Sequence, residues 1–93
     1  MSSRRWQVVI ASPAARDIDR LPMKIAAAAL EAINSIATNP HRMGRPLHLE
    51  LKGQWSARRG PYRIIYSIDD STETITVTAI AHRADVYRRS RRG

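Results

Sequence analysis

Apolar residues along this chain follow a strand spacing first and a helical spacing afterwards. The run from Trp6 to Ala11 is short and rich in β-branched residues, and it predicts a first strand with Trp6, Val8 and Ile10 on its inner face. In the part of the chain that follows, apolar residues recur at the period of a helix that buries one face. The pattern therefore predicts one strand followed by helical structure.

Two helices are predicted on either side of Leu21-Pro22, because proline ends one helix or opens the next. The first is expected to begin at Ser12-Pro13, with serine as its N-cap and proline at its first position. The second is predicted from Met23 to Ala37 and ends before Asn39-Pro40. The apolar faces of such a helical hairpin need a sheet to cover them.

Three further strands follow a basic, polar loop from His41 to Pro46. Alternating apolar and polar residues predict these strands at Gln54–Arg59, Tyr62–Ile68 and Thr74–His82. Turn sequences join them, at Gly60-Pro61 and at Asp69-Asp70-Ser71. The order predicts an α+β domain in which an antiparallel four-stranded sheet packs against the N-terminal helical hairpin. A short C-terminal helical turn is expected from His82 to Tyr87, and the basic tail, residues 88–93, is expected to be mobile.

The bulk composition excludes several kinds of site. A chain of 93 residues with 43% hydrophobic content fits one folded domain, residues 1–93. It has no cysteine, so neither a disulfide nor a thiolate nucleophile is expected. His41, His48 and His82 lack the spacing of metal ligands, and we expect no metal and no cofactor. No apolar run is long enough for a secretion signal or a membrane span, which predicts a cytoplasmic protein without membrane contact.

The charge of the chain points to a polyanionic partner. Sixteen basic and eight acidic residues give a net charge of +8, and all the basic residues except Lys24 and Lys52 are arginines. Guanidinium groups pair with two oxygens of a phosphate and stack on bases, so the partner predicted most simply is a nucleic acid. Codon usage in a GC-rich genome is the alternative explanation, because it favours arginine without a functional demand.

Three of these arginines, Arg58, Arg59 and Arg63, lie within six positions around the first predicted turn. In its predicted strand, Arg63 lies on the face opposite to the apolar inner one. A cation on such a stiff support can hold a phosphate in a fixed place. The structural alternative is an ion pair of Arg63 with Asp69 or Asp85.

Further motifs extend this pattern over the chain from Trp6 to Arg88. They are Ala15-Arg16-Asp17, Leu21-Pro22, Pro46-Leu47, Leu51-Lys52-Gly53, Trp55-Ser56-Ala57-Arg58-Arg59-Gly60, Tyr62-Arg63-Ile64-Ile65-Tyr66 and Ile80-Ala81-His82-Arg83-Ala84-Asp85-Val86-Tyr87-Arg88. On these segments the chain resembles the RelE/ParE superfamily of small bacterial toxins, and its RelE branch more closely. The Gly-x-Tyr-Arg strand and the His-Arg-x-Asp-Val-Tyr ending are fairly specific when taken together.

The resemblance implies a RelE-like fold and the toxin of a type II toxin–antitoxin pair. RelE-like toxins enter the ribosomal A site and cut mRNA there without a metal, so the expected partners are the ribosome, mRNA and a cognate antitoxin. The family's phosphate-holding arginine matches Arg63, its second arginine matches Arg83, and its C-terminal tyrosine matches Tyr87. Well-studied members carry lysines in the strand where this chain has Ser56 and Arg58.

Metal-free RNA cleavage uses the 2′-OH as nucleophile on the adjacent phosphorus, and it needs a base, an acid and cations near the phosphate. Arginine stays protonated and supplies charge, so the acid or base is expected to be Tyr87 or His82. The family resemblance favours Tyr87, and His82 is the alternative. The other basic residues near the site are expected to bind RNA or phosphate; they are Lys52, Arg58, Arg59, Arg88 and Arg89. Two other functions stay open: inhibition of DNA gyrase in the manner of ParE, and RNA binding without cleavage.

Overall fold

The computed structural model describes residues 5–47 and 53–82. The elements in this part of the chain are β1 (Gln7–Ile10), α1 (Ser12–Arg20), α2 (Met23–Thr38), α3 (Pro40–Met43), β2 (Arg45–Pro46), β3 (Gln54–Arg59), β4 (Tyr62–Asp69) and β5 (Thr74–His82). The predicted α+β class with an N-terminal helical hairpin is confirmed. None of the described helices combines the length and the apolar character that a bilayer crossing requires. The predicted C-terminal turn, beyond His82, and the basic tail lie outside the described residues.

The strands form one mixed sheet in the order β1-β5-β4-β3-β2. The prediction of four antiparallel strands is corrected in two details. β1 pairs with β5 in parallel, with Val8 opposite Ile75. β2 adds a fifth strand at the far edge, antiparallel to β3, within the segment predicted as a loop. Hydrophobic alternation shows which face of a strand is buried but not the strand's direction, and a strand of two residues has no period to detect.

The break between α1 and α2 falls at Leu21-Pro22, as predicted. α1 begins one residue earlier than predicted, because Ala11 rather than Ser12 is its N-cap. The carbonyl of Ala11 accepts the first helical hydrogen bond from the N–H of Ala15 at 2.9 Å. The N–H of Ala11 donates to the carbonyl of Val77 at 2.9 Å, so the sheet holds this residue and the helix starts directly after it.

The core lies between the helices and the inner face of the sheet. Ile64 and Tyr66 of β4 are 0% exposed, which confirms the predicted inner face of that strand, and Ile36 of α2 is buried in the same cluster. The predicted inner face of β1 is wrong at Ile10, which is 37% exposed. Within the described part of the chain, β1 is an edge strand with β5 as its single neighbour, so its last residue has little to pack against.

One side chain of α1 completes the hydrogen bonding of the sheet. Asp17 Oδ2 accepts a hydrogen bond from the backbone N–H of Ile80 in β5 at 2.9 Å. The ladder between β1 and β5 ends at Val77, so no strand of the described chain covers the N–H of Ile80 on that side. The carboxylate takes the place of the missing strand partner.

Both predicted hairpin turns are present. Gly60 has a φ of +59° in the two-residue turn between β3 and β4, a left-handed conformation that glycine adopts without strain. In the turn between β4 and β5, Asp69 Oδ1 accepts hydrogen bonds from the N–H groups of Ser71 and Thr72. The hydroxyl of Ser71 donates to the same oxygen, and this bond is the largest cause that lowers the pKa of Asp69.

Candidate functional site

Arg58 of β3 and Arg63 of β4 lie directly opposite each other. Residues that are opposite in a ladder share a face of the sheet. The next pair along, Ala57 and Ile64, is buried against the helices, so the two arginines point to the other face. The ion pair between Arg63 and Asp69 that the sequence leaves open is not formed, and Asp85 lies outside the described residues.

A cleft of about 680 Å³, which we call the arginine cleft, opens on this face of the sheet. Four arginines line it, Arg42, Arg45, Arg58 and Arg63, and no acidic residue is among the described residues that line it. None of the four arginines forms a salt bridge within residues 5–47 and 53–82. Unscreened positive charges around one concavity raise the local potential, so the cleft favours an anionic ligand with several charges.

Two of the four arginines come from residues 40–46, which we call the arginine arm. The arm consists of α3, Gly44 and β2. Arg45 lies opposite Ser56 of β3, and Ser56 is two residues from Arg58 on the same face. The pairing continues with a hydrogen bond of 2.7 Å from the N–H of Leu47 to the carbonyl of Gln54. The backbone of the arm is therefore held in register with β3.

Tyr66 holds the arm against the sheet through a buried hydrogen bond. Its hydroxyl donates a hydrogen bond of 2.7 Å to the carbonyl of Pro40, and both residues are buried. Burial raises the pKa of Tyr66 to about 12, so the hydroxyl remains a donor well into the alkaline range. Gly44 lies so close to this hydroxyl and to the carbonyl of Ser56 that a Cβ at position 44 would clash with both. The close approach of the arm to the sheet therefore requires glycine at this point.

His41 attaches the arm to the sheet from the side. Its ring lies edge-on to Trp6 and Trp55, with centroid distances of 5.7 and 5.5 Å. Its Nε2 atom is 3.0 Å from Asp70 in the turn after β4. His41 thus joins three separate segments of the chain, and its contacts are those of a packing residue.

His82 lies on the other face of the sheet from Arg63. It is opposite Tyr62, with the two rings edge-on at 5.2 Å, whereas Arg63 is opposite Ala81. Tyr62 faces α2, so His82 lies on the helix side as well. The structure does not bring the predicted alternative base into the arginine cleft.

Arg59 is also on the helix side. Its guanidinium Nη2 is 3.2 Å from Glu31 of α2, and both side chains are exposed. It borders a mostly apolar groove of about 270 Å³ between α2 and the turn after β3, together with Lys24 and Tyr62. Arg59 therefore does not join the predicted phosphate site.

The remaining predicted site residues lie outside the described residues. They are Lys52, Arg83, Tyr87, Arg88 and Arg89. Of the predicted set, the structure brings together Arg58 and Arg63 and separates them from Arg59 and His82.

Comparison with known proteins agrees with the fold and with the resemblance in sequence. The family model of the ParE toxins of type II toxin–antitoxin systems, parDE, matches residues 8–87. The chain is 48% identical over 84 residues to toxin RelE of Mycobacterium tuberculosis (strain ATCC 25618 / H37Rv), a match that covers 89% of this chain and 87% of that toxin. The chain belongs to the RelE/ParE family of type II toxins. Its similarities to named toxins place it in the RelE branch.

Two further relatives support this assignment. Toxin RelG of the same M. tuberculosis strain is 45% identical over 85 residues, which cover 90% of this chain and 98% of RelG. Among solved structures, the chain is similar to one from the toxin–antitoxin complex RelBE2 of M. tuberculosis. It is 39% identical and superposes with a TM-score of 0.83 over 89% of this chain and 97% of that chain.

For a RelE-type toxin, the arginine cleft differs from the expected pattern in the source of its charges. The strand before the Tyr-Arg motif carries Ser56 where lysine is expected from the family. Arg45 lies directly opposite Ser56 and reaches the same cleft from β2. The neighbouring strand thus supplies a cation beside the position at which β3 has none.

Neither Arg42 nor Arg45 is predicted as a site residue from the sequence. They belong to a segment without hydrophobic period, and the position of this segment beside β3 depends on contacts distant in sequence, such as that between Tyr66 and Pro40. The basic character of the segment is the one signal that could point to them.

Proposed function

We propose that this protein inhibits translation as a ribosome-dependent endoribonuclease that cuts mRNA without a metal. The observation that carries the proposal is the convergence of Arg58 and Arg63 on one cleft, with two more arginines and no acidic residue among its described walls. Rigid cations at a phosphate stabilise the charge that builds up on its oxygens during cleavage. Membership of the RelE branch supports the same reaction class.

In the proposed reaction, the 2′-oxygen of one nucleotide attacks the adjacent phosphorus, and the bond from phosphorus to the 5′-oxygen breaks. The products are a 2′,3′-cyclic phosphate and a 5′-hydroxyl end. Arg63, with Arg58 beside it, holds the non-bridging oxygens as their negative charge increases. Arg83 is assigned to the same role by the family resemblance alone.

A second group must remove the proton of the 2′-OH or deliver one to the 5′-oxygen. His82 lies on the helix side of the sheet, away from Arg63, which favours Tyr87 for this role. A tyrosine among arginines has a stabilised phenolate and can exchange a proton near neutral pH. Tyr87 also offers a ring on which a base can stack.

The proposed partner that controls this activity is a cognate antitoxin, produced with the toxin in the cytoplasm. Similar solved structures include toxin–antitoxin complexes from M. tuberculosis and Pyrococcus horikoshii OT3. The protein should therefore be obtained in quantity only with its antitoxin, because free toxin would stop growth.

The direct test adds purified protein to ribosomes stalled on a defined mRNA and maps the new RNA ends. We expect cuts in the A-site codon and no cuts in the same mRNA without ribosomes. Arg63→Ala should cut at least a hundredfold more slowly. Absence of cleavage by the wild-type protein, or equal rates for Arg63→Ala, would refute the proposal.

Inhibition of DNA gyrase is the second candidate, because the matching family model is that of ParE toxins. A gyrase inhibitor needs no catalytic cleft and would leave mRNA intact. Supercoiling assays with purified gyrase separate the two functions. Loss of supercoiling together with intact ribosome-bound mRNA would favour the ParE-like function.

A further inference from the structure

The arginine arm extends the cleft beyond the pair formed by Arg58 and Arg63. Its two cations, Arg42 and Arg45, line the same concavity but come from the other side of β3. Two residues of a strand span about 7 Å, so the step from Ser56, opposite Arg45, to Arg58 places successive cations at the scale of one nucleotide. A row of cations on one face matches the repeat of a nucleic-acid backbone better than a single phosphate.

From this arrangement we propose that Arg42 and Arg45 bind the phosphates of single-stranded RNA next to the scissile one. The arm is then a binding track that positions the strand, and it does not take part in the chemical step. This inference rests on the proposed function for the location of the scissile phosphate at Arg63. The ligand class is the phosphodiester backbone of a single RNA strand, read without base specificity.

The arm has the rigidity that such a track requires. Pro40 is buried and accepts the hydrogen bond from Tyr66, Gly44 is pressed against β3, and His41 is held between two tryptophans. These contacts fix the backbone on both sides of Arg42 before any ligand binds. Preorganisation lowers the entropic cost of binding a flexible strand.

In the described part of the chain, the two arginine side chains of the arm form no hydrogen bond or ion pair that would stabilise the fold. Arg5 and Arg59 each hydrogen-bond to a residue of α2, Asn34 and Glu31. Within residues 5–47 and 53–82, Arg42 and Arg45 make no such bond, and they line the cleft together with Arg58 and Arg63. Phosphates that bind between these four cations offset their mutual repulsion.

Binding can be tested separately from cleavage with an RNA oligonucleotide that carries 2′-O-methyl groups and cannot be cut. Fluorescence anisotropy gives the affinity of the full chain for this RNA over a series of salt concentrations. Each phosphate contact on a single strand contributes about 0.7 to the slope of log K against log salt. We expect Arg42→Ala/Arg45→Ala to bind about tenfold more weakly at low salt and to lower the slope by about 1.4.

Arg16→Ala/Arg20→Ala is the matched control, because it removes the same charge from exposed positions of α1 away from the cleft. Its slope should stay within about 0.3 of the wild-type value. Arg42→Lys/Arg45→Lys should restore the slope, because the slope counts charges rather than forked hydrogen bonds. Equal slopes for the two alanine variants would overturn the proposal, and so would failure of the lysine variant to restore binding.

The cleavage assay keeps the two proposals distinguishable. On ribosomes, Arg42→Ala/Arg45→Ala should raise KM about tenfold and leave kcat within about twofold, because the track binds ground state and transition state alike. A fall in kcat without a change in KM would contradict a binding track. A wild-type protein that cuts nothing would refute the endoribonuclease, while the salt slopes would still decide whether the arm binds RNA.

Discussion

Arg58 and Arg63 face each other as a like-charged pair in the hairpin of β3 and β4. Like charges directly opposite in a ladder lower stability by about 0.2–1 kcal/mol. A neutral or acidic residue opposite Arg63 would make the folded hairpin more stable. The hairpin thus keeps an arrangement that is unfavourable for folding and favourable for binding a polyanion, which is the pattern expected of a functional site.

Replacing either arginine of this pair should change stability and RNA binding in opposite directions. Arg63→Gln is expected to raise the free energy of unfolding by up to about 1 kcal/mol, because it removes the repulsion without making a cavity. The same variant should bind RNA more weakly. Urea unfolding and RNA anisotropy on one preparation measure both quantities.

Arg59→Gln provides the control in the same hairpin. It removes an exposed ion pair with Glu31, which is worth between about 0 and 1 kcal/mol, so its stability should stay equal or fall slightly. A stabilised Arg59→Gln together with a destabilised Arg63→Gln would show that the like-charged pair has no energetic cost.

The contact between Asp17 and the backbone of β5 predicts a loss of stability on truncation. Asp17→Ala leaves the N–H of Ile80 without its acceptor and should lower the free energy of unfolding by about 1–3 kcal/mol. Asp17→Asn keeps an acceptor oxygen and should lose less. Asp19→Ala, two residues away on the exposed part of α1, should change stability by no more than about 0.5 kcal/mol. Equal losses for Asp17→Ala and Asp19→Ala in urea unfolding would rule out this role.

Tyr66 makes the free energy of unfolding depend on pH in the alkaline range. Burial raises its pKa from 10.0 to about 12, so between these values the unfolded chain has lost the phenolic proton while the folded chain still holds it. The stabilisation that comes from the protonated phenol of Tyr66 is fully present below pH 10. It falls as the pH rises towards 12, by at most about 1.4 kcal/mol per pH unit.

Tyr66→Phe should remove this alkaline dependence and also lower stability at neutral pH by about 1–2 kcal/mol, because the buried carbonyl of Pro40 loses its donor. Unfolding by urea at several pH values from about 8 to about 11 measures both effects. Tyr62→Phe serves as the matched control for the loss of one phenol. If the wild-type protein and Tyr66→Phe lose stability in parallel above pH 10, Tyr66 is not the group responsible.

Gly44→Ala tests how closely the arginine arm must approach the sheet. The added methyl group meets the hydroxyl of Tyr66 and the carbonyl of Ser56, so the variant should lose about 1–3 kcal/mol and bind RNA more weakly. Combining it with Tyr66→Phe removes one of the two clashing atoms, so the double variant should lose less than the sum of the single losses. Strictly additive losses would show that the methyl group does not meet the hydroxyl.

The sequence predicts those parts of the fold that depend on local pattern. The alternation around Ile64 and Tyr66 gives the inner face of β4, and Leu21-Pro22 gives the helix break. Other features depend on contacts between distant segments. The parallel pairing of β1, the strand formed by Arg45-Pro46 and the role of Asp17 have no local signature, because each is set by a partner far along the chain.

The candidate site divides in the same way. Strand alternation predicts that Arg63 points away from the core, and the register with β3 adds Arg58 to the same face. The same alternation, applied across the turn, would have excluded Arg59, which follows Arg58 on the opposite face. Arg42 and Arg45 enter the cleft through the fold of the arm, which no pattern in their own segment predicts.

The central claim is that the face of the sheet that carries Arg63 performs the cleavage and the helix face does not. Single-turnover cleavage of ribosome-bound mRNA by Arg63→Ala and by Arg59→Ala tests it most directly, because both variants remove one arginine from the same hairpin. We predict a rate at least about a hundredfold lower for Arg63→Ala and a rate within about threefold of wild type for Arg59→Ala. Similar rates for the two variants, or a larger loss for Arg59→Ala, would contradict the claim.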